Sequence, residues 1–178
     1  MYHSAGGMVM DIKGKKAIVF GGTSGIGLAT CQELQARGAE VVAVSRDPNK
    51  AGTSIDYIRL ATVDARDSDA VSAFFESEGK VDILISSATG GSRAFGPFLE
   101  MDIDGFKGSF DKLWGYSNVV RYGTAKLDDY GCIVLVSGTP ARRMKPGQVA
   151  LSTVGGAVEA LARAIAPEIV PKRINVVA

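Results

Sequence analysis

The sequence predicts a doubly wound α/β fold of the Rossmann type: a parallel sheet between two helical layers, three layers αβα. Three observations lead there. Short apolar runs recur along the chain, and stretches of helical periodicity separate them. The runs are apolar at successive positions rather than in alternation, as expected of strands covered on both faces. A glycine-rich turn, "GGTSGIG" at 21–27, stands between the first run and the first helical stretch.

The elements follow in order. "KAIVF" (16–20) is the first strand, and the helix opening at Gly25 ends at Gly38, a glycine stop. "EVVAVS" (40–45) and "DYIRLATV" (56–63) are the second and third strands. "DSDAVSAFFESEG" (67–79) has an Asp/Ser start and a glycine stop, so it reads as a helix. "VDILIS" (81–86) is the fourth strand, and a Gly/Ser-rich loop covers 87–97. One long helical region spans about Met101 to Leu127, before a fifth strand, "CIVLVS" (132–137). A basic, proline-containing loop leads to a helix from about Gln148 to Val170, and "RINVVA" (173–178) starts a sixth strand. With the chain stopping there, that strand's edge is expected to be exposed unless more chain or a partner covers it.

Length and composition bound the function. With 178 residues the chain suits one domain with a sizeable core. Its 20 basic and 19 acidic residues leave a net charge of +1, which gives no electrostatic case for nucleic acid or an anionic membrane. No apolar run approaches the roughly 20 residues of a membrane span. The two cysteines, Cys31 and Cys132, lie in apolar segments and read as free core thiols, which with the lack of a secretory leader suggests a reducing cytoplasm. The only histidine, His3, lies in "MYHSAGG", so a metal site has almost nothing to build from. Residues 1–10 read as a leader or cloning scar, and 11–178 as a single dinucleotide-binding domain, cut short after strand six.

The glycine turn carries the functional argument. In a strand-turn-helix setting, glycines permit the tight bend and let backbone approach a pyrophosphate, while the helix N-terminus offers free N–H groups. Gly21, Gly25 and Gly27, with Thr23, Ser24 and Ile26 between them, form the candidate phosphate cradle.

Here the sequence resembles the short-chain dehydrogenase/reductase family, whose turn is TGxxxGxG. Residues 21–27 match its glycines, with Phe20 where threonine is usual. "SRD" after the second strand, "VDARD" after the third, "GCIVLVSG" and "RINVVA" extend the similarity over nearly the whole chain. The resemblance implies a nicotinamide cofactor, a small carbonyl or alcohol substrate, and a homodimer or homotetramer. Ser45 stands where NAD-preferring members carry an acid, and Arg46 follows it; a guanidinium fork suits a 2′-phosphate. These residues favour NADP(H) over NAD(H). Asp64 and Ala65 take the adenine positions, and Ser87, Ala88 and Thr89 the loop after strand four.

The catalytic pattern departs from the family. "LSTVGGAVEAL" lies on the family's "YSASKAAVEAL" without a gap, which puts Leu151 at the tyrosine position and Gly155 at the lysine position. The serine position is Gly138, with Ser137 adjacent, and the supporting asparagine falls near Lys112 or Leu113. Gly155 is expected to leave space beside the nicotinamide ribose, and Gly156 to allow close helix packing at a subunit contact. Ser137 or a water is the remaining proton donor. Arg142, Arg143 and Lys145 could bind an anionic substrate or form a solvated charge run. Tyr116 and Tyr122 could face the cleft or a partner. The apolar side chains of "FDKLWGYSNVVRYG" exceed what one sheet face needs, which supports a dimer through this helix and the one after strand five.

Overall fold

The computed structural model of the chain describes residues 11–51, 55, 57–89 and 91–178. The proposed leader or scar, 1–10, lies outside the described residues. Strands β1 (Lys16–Phe20), β2 (Glu40–Ser45), β3 (Arg59–Thr62), β4 (Val81–Ser86), β5 (Leu127–Val136) and β6 (Arg173–Val177) form one sheet. All pairings are parallel, in the order β3-β2-β1-β4-β5-β6. The chain reverses its direction of travel between β1 and β4. Such a switch point opens a crevice at the carboxyl ends of the strands.

The predicted runs at 16–20, 40–45 and 81–86 are strands over the same residues. The third is shorter than predicted: β3 covers Arg59–Thr62 at the sheet edge, with Arg59, Leu60 and Thr62 exposed. Its predicted start, Asp56, lies outside the described residues. β5 begins five residues before its predicted start, at Leu127 instead of Cys132, with a shift in register between Val81 and Ile83 of β4. β6 forms the other edge.

The helices are α1 (Gly25–Ala36), α2 (Ser68–Glu78), α3 (Ile103–Ser109), α4 (Asp111–Lys126) and α5 (Val149–Ile165). α2 starts as the sequence predicts: the Asp67 carboxylate accepts from the backbone N–H groups of Asp69 and Ala70. The long helix expected over 101–127 is two helices, broken at Phe110. Ser109 ties the break to the preceding loop: its hydroxyl accepts from the Ala94 N–H and donates to the Gly105 carbonyl.

One sheet face presents Ile18, Phe20, Val42, Val44, Leu84, Ile133 and Leu135 to α2, α4 and α5. The other packs Ala17, Val19, Val41, Ala43, Ile83 and Ile85 against Cys31 and its neighbours on α1. Cys31 and Cys132 are free thiols, and burial pushes the Cys31 thiol up to about 12.

The α5 region corrects one sequence expectation. Val149–Glu168 is a 20-residue helical stretch long and apolar enough to cross a membrane. Here it lies on the sheet, with Ala150, Val154, Val158 and Ala162 buried. Glu159 is buried on the same helix and is clasped by Arg142 and Arg163.

Candidate functional site

A cavity of about 800 Å³ runs across the carboxyl ends of β2, β1, β4 and β5, over the switch point. Its floor is the turn from β1 into α1. Gly21 (φ +80°) is pressed against the loop after β4: a Cβ there would lie 2.6 Å from the Ala88 nitrogen. A Cβ on Gly27 would lie 2.1 Å from the Gly21 carbonyl oxygen and 2.5 Å from Ser87 Oγ. Both positions therefore exclude a side chain, and the turn can only be this tight with glycine. Around Gly25, by contrast, no described residue stands within 4 Å of a Cβ, which leaves a hollow at the start of α1. Ser24, the residue before the helix, makes no side-chain cap, so the first-turn N–H groups remain available. The Ser87 hydroxyl donates to the Phe20 carbonyl, holding the β4 loop to the turn.

At one end of the cavity stand Ser45, Arg46, Asp64 and Ala65. The Ser45 hydroxyl is buried without a hydrogen-bond partner among the described residues. Arg46 is exposed at the rim and makes no ion pair among those residues. Asp64 is held by a neighbour that the sequence reading did not single out. Arg66 donates to both carboxylate oxygens, at 2.7 to 3.2 Å, and its other arm reaches Asp111. Hydrogen bonds from Arg66 hold the Asp64 carboxyl below its usual range.

At the other end, Ser137, Gly138, Leu151 and Gly155 line the cavity together, so the positions aligned from sequence are neighbours in space. Their chemistry differs from the expectation in two respects. The Ser137 hydroxyl is buried and donates to the Gly155 carbonyl at 3.1 Å, so its proton is already engaged. Nor does Gly155 leave free space. A Cβ there would meet the Ala141 Cβ at 2.7 Å and Ser137 Oγ at 3.1 Å, so the glycine lets α5 approach the turn at 139–141. Among the described residues nothing lies within 4 Å of a Cβ on Gly156, so this glycine leaves open surface on α5, where the expected packing would be against a second subunit.

Lys112 also enters this end. Its ammonium donates to the Ser137 carbonyl at 2.5 Å and lies 5.3 Å from the centroid of the Tyr116 ring. Burial, with the Arg93 guanidinium second, pulls its pKa down to about 8. Tyr116 faces the cleft but is buried; its hydroxyl donates to the Val136 carbonyl, and burial raises its pKa. Tyr122 packs partly buried against the core. Of the aromatic and branched side chains offered as a dimer surface, Tyr116, Val119 and Val120 are internal and Trp114 is exposed. Arg142 pairs with Glu159, and neither Arg143 nor Lys145 lines the cavity.

A turn this tight at the switch point, opening a helix with uncapped N–H groups, is the geometry of a dinucleotide site. The sequence profile of the short chain dehydrogenase family matches residues 15–178. The chain belongs to that family. It is 32% identical over 176 residues to L-xylulose reductase of Mesocricetus auratus, covering 95% of this chain and 71% of that protein. Carbonyl reductase [NADPH] 2 of Sus scrofa is 31% identical over the same shares. Among solved structures, a short chain dehydrogenase/reductase family protein superposes with a TM-score of 0.82 at 30% identity, over 94% of this chain and 74% of that one. The chain is thus a member of an oxidoreductase family, and its cleft lies at the switch point of the sheet.

Proposed function

We propose that this short chain dehydrogenase is an NADP(H)-dependent oxidoreductase acting on a small carbonyl or alcohol, with an altered catalytic apparatus. The observation that carries this reading is the glycine turn at the switch point, open at Gly25 and uncapped at Ser24. NADP(H) fits the residues present. The first-turn N–H groups of α1 would hold the pyrophosphate. Ser45, whose hydroxyl has no partner among the described residues, and Arg46, which makes no ion pair among them, would hold a 2′-phosphate, where an acid would repel it. The name of the porcine relative, which specifies NADPH, points the same way. NAD(H) is the less favoured cofactor.

When bound, the nicotinamide would supply or accept hydride. The chain's own part is binding and alignment, because Leu151 and Gly155 carry no proton donor and Gly138 no hydroxyl. Ser137 can accept a hydrogen bond, but its own proton goes to the Gly155 carbonyl. These substitutions also favour a second reading, a non-catalytic NADP(H)-binding redox sensor or partner subunit. We place either activity in the cytoplasm, in a homodimer or homotetramer. Stereospecific hydride exchange between 4-labelled NADPH and a panel of small ketones separates the two readings: exchange supports the enzyme, and tight cofactor binding without exchange supports the sensor.

A further inference from the structure

Charge along the cavity is distributed unevenly. At the β2–β3 end the acids Asp64 and Asp111 are both engaged by Arg66. Two further cations line the cavity, Lys112 at the β5–α5 end and Arg93 on the loop after β4, and neither pairs with a carboxylate among the described residues. Lys112 is half-buried and approaches the cavity from the first turn of α4; its recorded partners are a backbone carbonyl and an aromatic face. Arg93 extends from the loop after β4, exposed at the cavity wall.

Lys112 is half-buried and feels the positive charge of Arg93, an unfavourable arrangement by itself. An anion entering between them would relieve both the repulsion and the lost hydration. The basic loop at 142–145, a candidate for this task from the sequence, does not perform it, because Arg142 is committed to Glu159 and the other two lie outside the cavity.

We propose that Lys112 and Arg93 form an anion subsite that holds a carboxylate of the substrate, which makes the substrate a small oxo or hydroxy acid. The inference rests on the oxidoreductase reading of the cleft and adds the substrate class to it. A carboxylate is flat and accepts from two directions, matching an ammonium on one side and a guanidinium fork on the other. The Ser137 carbonyl is already taken by Lys112, so the ammonium is fixed in place with donors to spare. Neither residue belongs to the glycine turn or to the Ser45–Arg46 pair, the groups assigned to the cofactor's phosphates.

Isothermal titration of the full chain, without cofactor, with phenylglyoxylate and with its methyl ester tests this directly. The two probes share a skeleton and a ketone and differ in charge. The acid is expected to bind at least tenfold more tightly than the ester. Lys112→Met should remove that preference, Arg93→Met should reduce it several-fold, and Lys112→Arg should keep most of it. Equal binding of acid and ester, binding of neither, or a preference that survives in Lys112→Met would overturn the proposal. Should Lys112→Met fail to fold, the exposed Arg93→Met decides alone, and an unchanged preference there overturns it. A repeat with saturating NADP⁺ covers the other source of anion: if NADP⁺ displaces the acid, the cations serve the cofactor and the substrate subsite is wrong. Failure of NADP(H) to bind would count against the cofactor reading and leave the acid-against-ester comparison intact.

Discussion

The Cβ that any side chain would add at Gly155 falls 2.7 Å from the Cβ of Ala141, while the same atom at Gly156, one residue on, would meet no described residue within 4 Å. Two adjacent helical glycines therefore have opposite reasons for being small. In a helix interior each costs about 1 kcal/mol relative to alanine. At Gly155 that cost is offset by the close approach of α5 to the 139–141 turn. Among the described residues nothing offsets it at Gly156.

Gly156→Ala is accordingly expected to stabilise the protein by roughly 0.5–1 kcal/mol. Gly155→Ala should destabilise it by about 1–3 kcal/mol, the usual range for overpacking, because backbone and Cβ atoms must move. Urea unfolding of the two variants checks both signs. If both stabilise, the wall at Ala141 yields and Gly155 is not there for packing.

Cofactor choice is tested at Arg46. If its guanidinium meets the 2′-phosphate, Arg46→Ala loses charge-assisted hydrogen bonds of about 1.5–3 kcal/mol. Binding of NADP(H) should weaken roughly ten- to hundredfold, while NAD(H) binding barely changes. Calorimetric titration with both cofactors is the measurement; equal losses would remove the 2′-phosphate role.

The fold was legible because its strands announce themselves. "KAIVF", "EVVAVS" and "VDILIS" are apolar on both faces and bounded by glycine or charge, and each is a strand over those residues. The break at Phe110 was not legible, since a tertiary contact marks it: the Ser109 hydroxyl bonds to Ala94, fifteen residues away. Lys112 enters the sequence analysis only as one of two positions for the family's asparagine, and its burial in the cleft was not legible for a related reason. One lysine in a helix normally lies in water. Yet the buried stripe of α4, Gly123, Val120, Val119 and Tyr116, extended back by four residues, arrives at Lys112. The cleft positions Ser137, Gly138, Leu151 and Gly155 came together as the alignment implied. Which of their atoms were free could not be read from spacing, because it depends on the Ser137–Gly155 hydrogen bond and the turn at 139–141.

Acid stability should depend on Glu78. Its side chain is 5% exposed and is held by Arg59 and Lys16. Burial opposes its ionisation, but the hydrogen bonds from Arg59 and Lys16 outweigh burial and keep the carboxyl below its usual range. A folded value below the unfolded one gives stability that is full above about pH 4.3 and is lost as pH falls through the folded value. Glu78→Gln should cost about 1–3 kcal/mol near neutrality and much less at pH 3. Denaturation midpoints across pH 3–7 report this as a shallower acid limb; parallel limbs for the two proteins would exclude it.

Assembly is expected to use α4 and α5, where Trp114 is 62% exposed and Gly156 leaves open surface on the neighbouring helix. Light scattering at micromolar concentration should give at least a dimer, and Trp114→Lys should shift it toward monomer. A monomeric unaltered chain would rule out this interface.

The chemistry of the β5–α5 end is the most exposed expectation. Neither Leu151 nor Gly155 can donate a proton to a carbonyl, and the Ser137 proton is engaged by the Gly155 carbonyl. General acid catalysis is typically worth about 10²–10⁴-fold, so turnover of simple ketones with NADPH should fall short of ordinary dehydrogenase rates by that order. The obvious repair, Gly138→Ser with Leu151→Tyr and Gly155→Lys, is expected to fail for two local reasons. Gly138 sits at φ +135°, a backbone conformation in which serine is strained, and a lysine at 155 would have to displace Ala141. Leu151→Tyr alone meets neither obstacle and should fold with cofactor binding intact. Steady-state rates with simple ketones, beside NADPH titrations of each variant, separate these outcomes. If the unaltered chain already turns over simple ketones at ordinary rates and Leu151→Ala leaves that rate unchanged, a proton donor acts from elsewhere in the cleft, and the account of a disabled β5–α5 end is wrong.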